Sequence, residues 1–201
     1  MTTLLIISIA TSILAPIGLC ILYKKTISSM MTEKEIADLK KSPPQKNFYL
    51  SFLFIAIPQI VLYDTSSTQE KIIILLLGIV AYFDIIKKWI PDIAIFVFCA
   101  ACFNLQSQMT PHDVAANITA FNLPLIFVEI VHLITKKKSG IGNGDFYITV
   151  PASLIFHNWY DAMLTSSLTI LAINFFSIIK RKETPLIPFL FSITLIYLIL
   201  K

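Results

Sequence analysis

Residues 71–91 read KIIILLLGIVAYFDIIKKWIP, an apolar run opened by Lys71, closed by Lys87 and Lys88, and interrupted by one acid, Asp84. A helix needs about 20 mostly apolar residues to cross a bilayer, and basic residues gather where such a helix meets water on the inner side. The run at residues 71–86 therefore reads as a membrane span. Comparable runs recur at residues 3–23, 48–63, 92–106, 114–134, 146–157, 161–179 and 185–200, giving about eight candidate crossings. The sixth, 146–157, would reach only about 18 Å as helix. It must borrow residues 158–160 or remain a partial crossing.

Composition supports the same class. The 201 residues are 56% apolar and 14% charged, and mean hydropathy is +0.79. Soluble domains are about 45–50% apolar and about 25% charged, which excludes an ordinary soluble protein. The net charge of +4 does not form a patch for nucleic acid, because the lysines lie in short clusters between apolar runs. Those clusters alternate: Lys24, Lys25, Lys34, Lys40, Lys41 and Lys46 in the first connection, Lys87 and Lys88 in the third, Lys136–Lys138 in the fifth, and Lys180, Arg181 and Lys182 in the seventh. The even connections hold only Lys71. The positive-inside rule then places odd connections in the cytoplasm and both termini on the periplasmic side. Basic residues follow the first span instead of preceding it, the reverse of a cleavable secretory signal.

The expected architecture is all-α, one integral-membrane domain over residues 1–201. Its largest extramembrane piece is the cytoplasmic connection at 24–47. Thr32 and Glu35 have capping-box spacing ahead of Ile36 and Leu39, and Pro43–Pro44 follow. This reads as a short amphipathic helix on the inner surface or as a solvated connector. Cys20, Cys99 and Cys102 all lie in apolar runs, and His112, His132 and His157 are scattered. Tetrahedral zinc needs four converging ligands, so no metal and no cofactor is expected.

Charge at membrane depth is costly and marks function by default. The acids in or beside spans are Asp84, Asp92, Glu129 and Asp145. Three of the five glycines fall in Gly140-Ile141-Gly142-Asn143-Gly144, directly before Asp145. Glycine permits positive φ and close backbone approach, so the expectation is a tight turn presenting the Asp145 carboxylate. After Asp84 the chain crosses outward and returns, so both acids reach the cytoplasmic face. Two carboxylates sharing a proton are the machinery of an aspartyl protease, one acting as base on water and the other as acid toward the peptide carbonyl. Plainer roles stand beside this one: Asp145 as a helix N-cap, Asp84 as a solvated residue beside Lys87 and Lys88, and Asp92 as the cap of the fourth span. Glu129 and His132, three apart on one helix face, read first as a mutual pair. Thr110 with Asp113, and Asn158 with Asp161, read as caps, and Tyr82 as an interface aromatic.

In these residues the chain resembles the type IV prepilin peptidase family, membrane aspartyl proteases of the GxGD kind. The resemblance rests on Gly142–Asp145, on Asp84 followed by a basic turn and Ile90–Pro91, and on the late Pro-x-x-Pro-Phe at Pro185–Phe189. It covers roughly residues 70–200. It implies that Asp84 and Asp145 are catalytic, with Gly142, Asn143 and Gly144 as the active-site loop. Pro91, Glu129, His132, Pro185 and Pro188 are then supporting positions. It implies a bacterial inner-membrane enzyme that removes the basic leader of prepilins or pilin-like proteins at the cytoplasmic face. The partners are that substrate and the lipid bilayer, with no nucleic acid; the oligomeric state is left open.

This chain has Tyr147 where the family usually has Lys, and Asp92 where it usually has Asn. The first connection lacks the cysteines of the family's zinc-binding insert, so no zinc is implied. Gly18–Lys24 keeps little of the run associated with N-methylation of the product, and that activity is not carried over. Two other classes fit parts of the pattern: a small ion- or proton-coupled transporter using Asp84, Glu129 and Asp145, and a catalytically idle pilus-assembly partner.

Overall fold

The computed structural model describes residues 2–30, 46–64, 66–105, 109–136, 143–180 and 185–201. The Thr32–Glu35 capping pattern and Gly142 lie outside the described residues. Among the described residues all regular structure is helical, in eight helices, each overlapping one apolar run. They are α1 (Thr2–Met30), α2 (Phe48–Val61), α3 (Thr68–Lys87) and α4 (Asp92–Leu105). There follow α5 (Pro111–Lys136), α6 (Asn143–Ala152), α7 (Trp159–Lys180) and α8 (Ile187–Leu200).

Local chemistry sets several of the ends. Ser67 and Glu70 close a reciprocal capping box on α3, with bonds of 3.2 and 2.8 Å. Thr110 and Asp113 cap α5, and Asn158 and Asp161 cap α7, as their spacing predicts. Because Asn158 caps α7, residues 158–160 are not lent to the sixth run. Helix α6 stops at Ala152 and continues as a single 3₁₀ turn over Ser153–Ile155.

Two helical stretches, Thr2–Tyr23 and Pro111–Thr135, are long and apolar enough to cross a membrane. That is fewer than the eight crossings expected, and the physical reasons are local. Helix α3 has the length but carries Glu70 and Lys71 at one end and Asp84 and Lys87 at the other. Helices α2 and α8 and the stretch Asp92–Asn104 of α4 are apolar but shorter.

The helices cross closely at Gly78. Helix α2 is broken in its middle by a π-helical turn, Phe52–Ala56, and the Phe54 carbonyl lies where a Cβ on Gly78 would stand, with the Phe191 ring 3.3 Å from the same point. Phe54 and Phe191 also touch, ring centroids 5.2 Å apart. This one glycine seats α2 and α8 on α3.

Polarity in the bundle is partly inverted. Polar side chains are fully or almost fully buried at Ser8, Ser12, Asn117, Thr149, Ser153, Thr165, Ser166 and Thr169. Several of them tie helices together: Ser51 Oγ donates to the Ser12 carbonyl at 2.7 Å, Asn117 Nδ2 to the Phe156 carbonyl at 2.7 Å, and Thr149 Oγ1 to Asn122 Oδ1 at 2.8 Å. Meanwhile Ile6, Phe96, Phe127, Ile134, Leu171 and Phe175 each lie more than half exposed.

Candidate functional site

Helix α3 carries Asp84 in its last turn, on the side that faces the bundle, where the residue is 6% exposed. The helix stops because Lys88 turns left-handed, at φ 51°, and its N–H returns to the Asp84 carbonyl at 2.7 Å. The turn that follows is held from the side by α1: Tyr23 meets Trp89 edge-on at 5.6 Å, and the Lys87 ammonium sits 5.2 Å above the Tyr23 ring. Pro91 is buried and its carbonyl accepts from Ala94 and Ile95 at 2.9 and 3.2 Å, which starts α4. Asp92 is exposed in the first turn of α4, where a helix favours negative charge.

Helix α4 packs against both α3 and α6. Asp145, half-buried in the first turn of α6, thereby comes near the end of α3. Its charge acts directly on the Asp84 carboxyl, and Lys88 acts on the same group with opposite sign. Two further contacts fix α6: the Cys99 thiol reaches the Tyr147 carbonyl at 3.7 Å, and Thr149 bonds Asn122 on α5. Tyr147 itself is 63% exposed, so its side chain points away from the interior.

The third component comes from α8. The Ile187 N–H donates to Asp84 Oδ2 at 3.3 Å in a buried bond. The first N–H groups of a helix have no intrahelical acceptor, and Pro188 contributes no N–H at all, so Ile187 is a donor that must find a partner from outside its helix. Asp84 supplies it and lies at the positive end of the α8 dipole. Its other oxygen has no hydrogen-bond donor among the described residues. Pro185 and Pro188 flank this contact, so the Pro-x-x-Pro-Phe segment joins the site through a main-chain atom that no side-chain motif displays.

Other expected positions fall differently. Asn143 and Gly144 belong to the first turn of α6, and no described glycine has positive φ, so these two residues form helix where a tight turn was expected. An acid in the first turn is itself a reason for the helix to start there. Glu129 and His132 stand half-buried on α5. Among the described residues the groups acting on Asp84 are Asp145, the Ile187 N–H and Lys88, which leaves Glu129 and His132 outside the pair. Tyr82 is fully buried, where an interface aromatic was expected.

The assembled geometry is a buried carboxylate held at one oxygen, with a second, more accessible carboxylate and a lysine close enough for their charges to be felt there. Two carboxylates that sense one another can divide the roles of acid and base. The chain matches no family model, no curated protein and no solved structure in the comparisons made.

Proposed function

We propose that this chain is an eight-span membrane aspartyl endopeptidase with Asp84 and Asp145 as its catalytic pair. The single observation that carries the reading is the placement of Asp84, buried in the last turn of α3 and held by the Ile187 N–H at 3.3 Å, near enough to Asp145 in the first turn of α6 for the charge of one to be felt at the other. In this reading one carboxylate takes a proton from a water as it attacks the scissile carbonyl, and the protonated partner donates to the carbonyl oxygen. Collapse of the tetrahedral intermediate returns a proton to the leaving amine. The Ile187 N–H keeps Asp84 in place through the cycle, and Lys88 offsets the negative charge of the pair.

The multi-pass reading draws support from the inverted polarity of the bundle, since a surface of Ile, Leu and Phe around buried hydroxyls and amides suits lipid as solvent. The shorter helices gain effective length from neighbours and from local bilayer thinning. With odd connections inside, the pair lies at the cytoplasmic face of a bacterial inner membrane. The substrate is a prepilin or pilin-like protein, whose basic leader stays in the cytoplasm while its apolar helix enters the bilayer.

Co-expression with a prepilin encoded nearby, followed by intact-mass analysis, tests the reading. Wild type is expected to remove a leader-length mass. Asp84→Asn and Asp145→Asn each reduce cleavage by about 10²–10⁴-fold. Cleavage that persists in both variants overturns the catalytic pair.

A further inference from the structure

At the other end of α3 lies a second polar constellation, independent of the peptidase reading. Lys71 is 95% buried, being only 5% exposed. Its ammonium donates to the Tyr63 carbonyl at 2.6 Å and sits 5.8 Å from the Tyr63 ring centroid. An ammonium has three donors, and among the described residues this one makes no ion pair with a carboxylate. The nearest in sequence, Glu70, is engaged by the Ser67 N–H and by Lys201 at 3.2 Å. A buried cation without a counter-charge is costly unless an anion reaches it.

Space for one is present. Lys71 lines a cavity of about 100 Å³ together with Thr3, Gln59, Tyr63 and Thr68. Gln59, 3% exposed, is locked by its Nε2 donating to the Lys71 carbonyl at 2.9 Å. Thr3 and Thr68 bring hydroxyls to the cavity wall. A lysine and hydroxyls are donors that suit a phosphate. Thr3 also lies in the first turn of α1, one of the two helices long and apolar enough to cross a membrane; where α1 spans a bilayer, its start and the cavity are level with lipid headgroups. We propose that the Lys71 cavity binds a phosphate group, supplied by the phosphodiester of a phospholipid, between the starts of α1 and α3 and the end of α2.

The full chain, delipidated in a nonionic detergent, is titrated with dioleoyl phosphatidylglycerol, with dioleoylglycerol and with inorganic phosphate. Adducts are read by native mass spectrometry and binding by the shift in thermal midpoint. Wild type and Lys71→Arg are expected to retain phosphatidylglycerol. Lys71→Met, which keeps the volume and loses the charge, weakens it about tenfold or more, and Thr68→Val weakens it several-fold should the first variant not fold. Displacement of the lipid by millimolar phosphate supports the site with free phosphate as the competing source, and resistance to displacement supports the headgroup. Equal retention by Lys71→Met, equal retention of dioleoylglycerol, or failure of wild type to bind either phosphate probe overturns the proposal.

Discussion

Asp84 has two duties that substitution can separate. It is a titratable carboxyl within reach of the Asp145 charge, and it is the acceptor that satisfies the Ile187 N–H at the start of α8. Asn keeps an oxygen for that N–H and loses the charge, whereas Ala removes both. Asp84→Asn is expected to unfold in detergent within about 1 kcal/mol of wild type, and Asp84→Ala about 1–3 kcal/mol below it, because a buried donor is then stranded. Denaturant titrations of the two variants check this, and equal stability would mean that the Ile187 bond contributes nothing. A parallel case is Thr149, whose hydroxyl is the donor to Asn122 Oδ1. Thr149→Val is expected to cost about 1–3 kcal/mol by the same assay. The two aspartates were legible in the sequence because an acid beside an apolar run demands a reason. The Ile187 N–H was not, because a main-chain donor leaves no side-chain signature; the only hint was a pair of prolines that makes N–H groups scarce around it.

Helix positions were legible for a simple reason: each described helix is an apolar run that ends where lysines, prolines or capping residues begin. Thr110–Asp113 and Asn158–Asp161 were read from spacing and are seen as bonds. What the apolar pattern could not disclose is where helices touch, since Leu, Ile and Phe occupy lipid-facing and interior faces alike. Gly78 shows the gap. The glycine cluster before Asp145 drew notice by its density, yet Gly144 has open space around it, while the isolated Gly78 is the one pressed against the Phe54 carbonyl. A methyl group at 78 must push α2 away, and backbone cannot yield as a side-chain tip does. Gly78→Ala is expected to destabilise by about 1–3 kcal/mol through overpacking. Gly18→Ala, with nothing near its added carbon, is expected to be neutral or to stabilise by up to about 1 kcal/mol through helix propensity. Thermal midpoints of the two variants, measured side by side, decide it; a tolerated Gly78→Ala would show that α2 does not seat where the structure has it.

Across the whole molecule the two ends differ in what they gather. One end brings together the close of α3 and the starts of α6 and α8, with Asp84, Asp145 and Lys88. The other joins the start of α3 to the end of α8 through Glu70 and Lys201, with His157 also against Lys201 and the Tyr197 hydroxyl donating to Asp161 at 3.0 Å. In the sequence the basic connections are those that follow α1, α3, α5 and α7. If the chain crosses a bilayer at every helix, the basic end stays in the cytoplasm and the pair meets a substrate whose leader is cytoplasmic. Alkaline phosphatase, active only outside the cytoplasm, reads this orientation directly when fused at chosen points. Fusions after Met109 and after Lys201 are expected to be active, and fusions after Lys138 and after Arg181 inactive. Each helix need not span unaided for this orientation to hold, because α6 needs only to return the chain to the far side before α7 begins. Activity at Lys138, or silence at Met109, would place Asp84 and Asp145 away from any cytoplasmic leader. That result would remove the prepilin substrate from the reading while leaving the geometry of the pair intact.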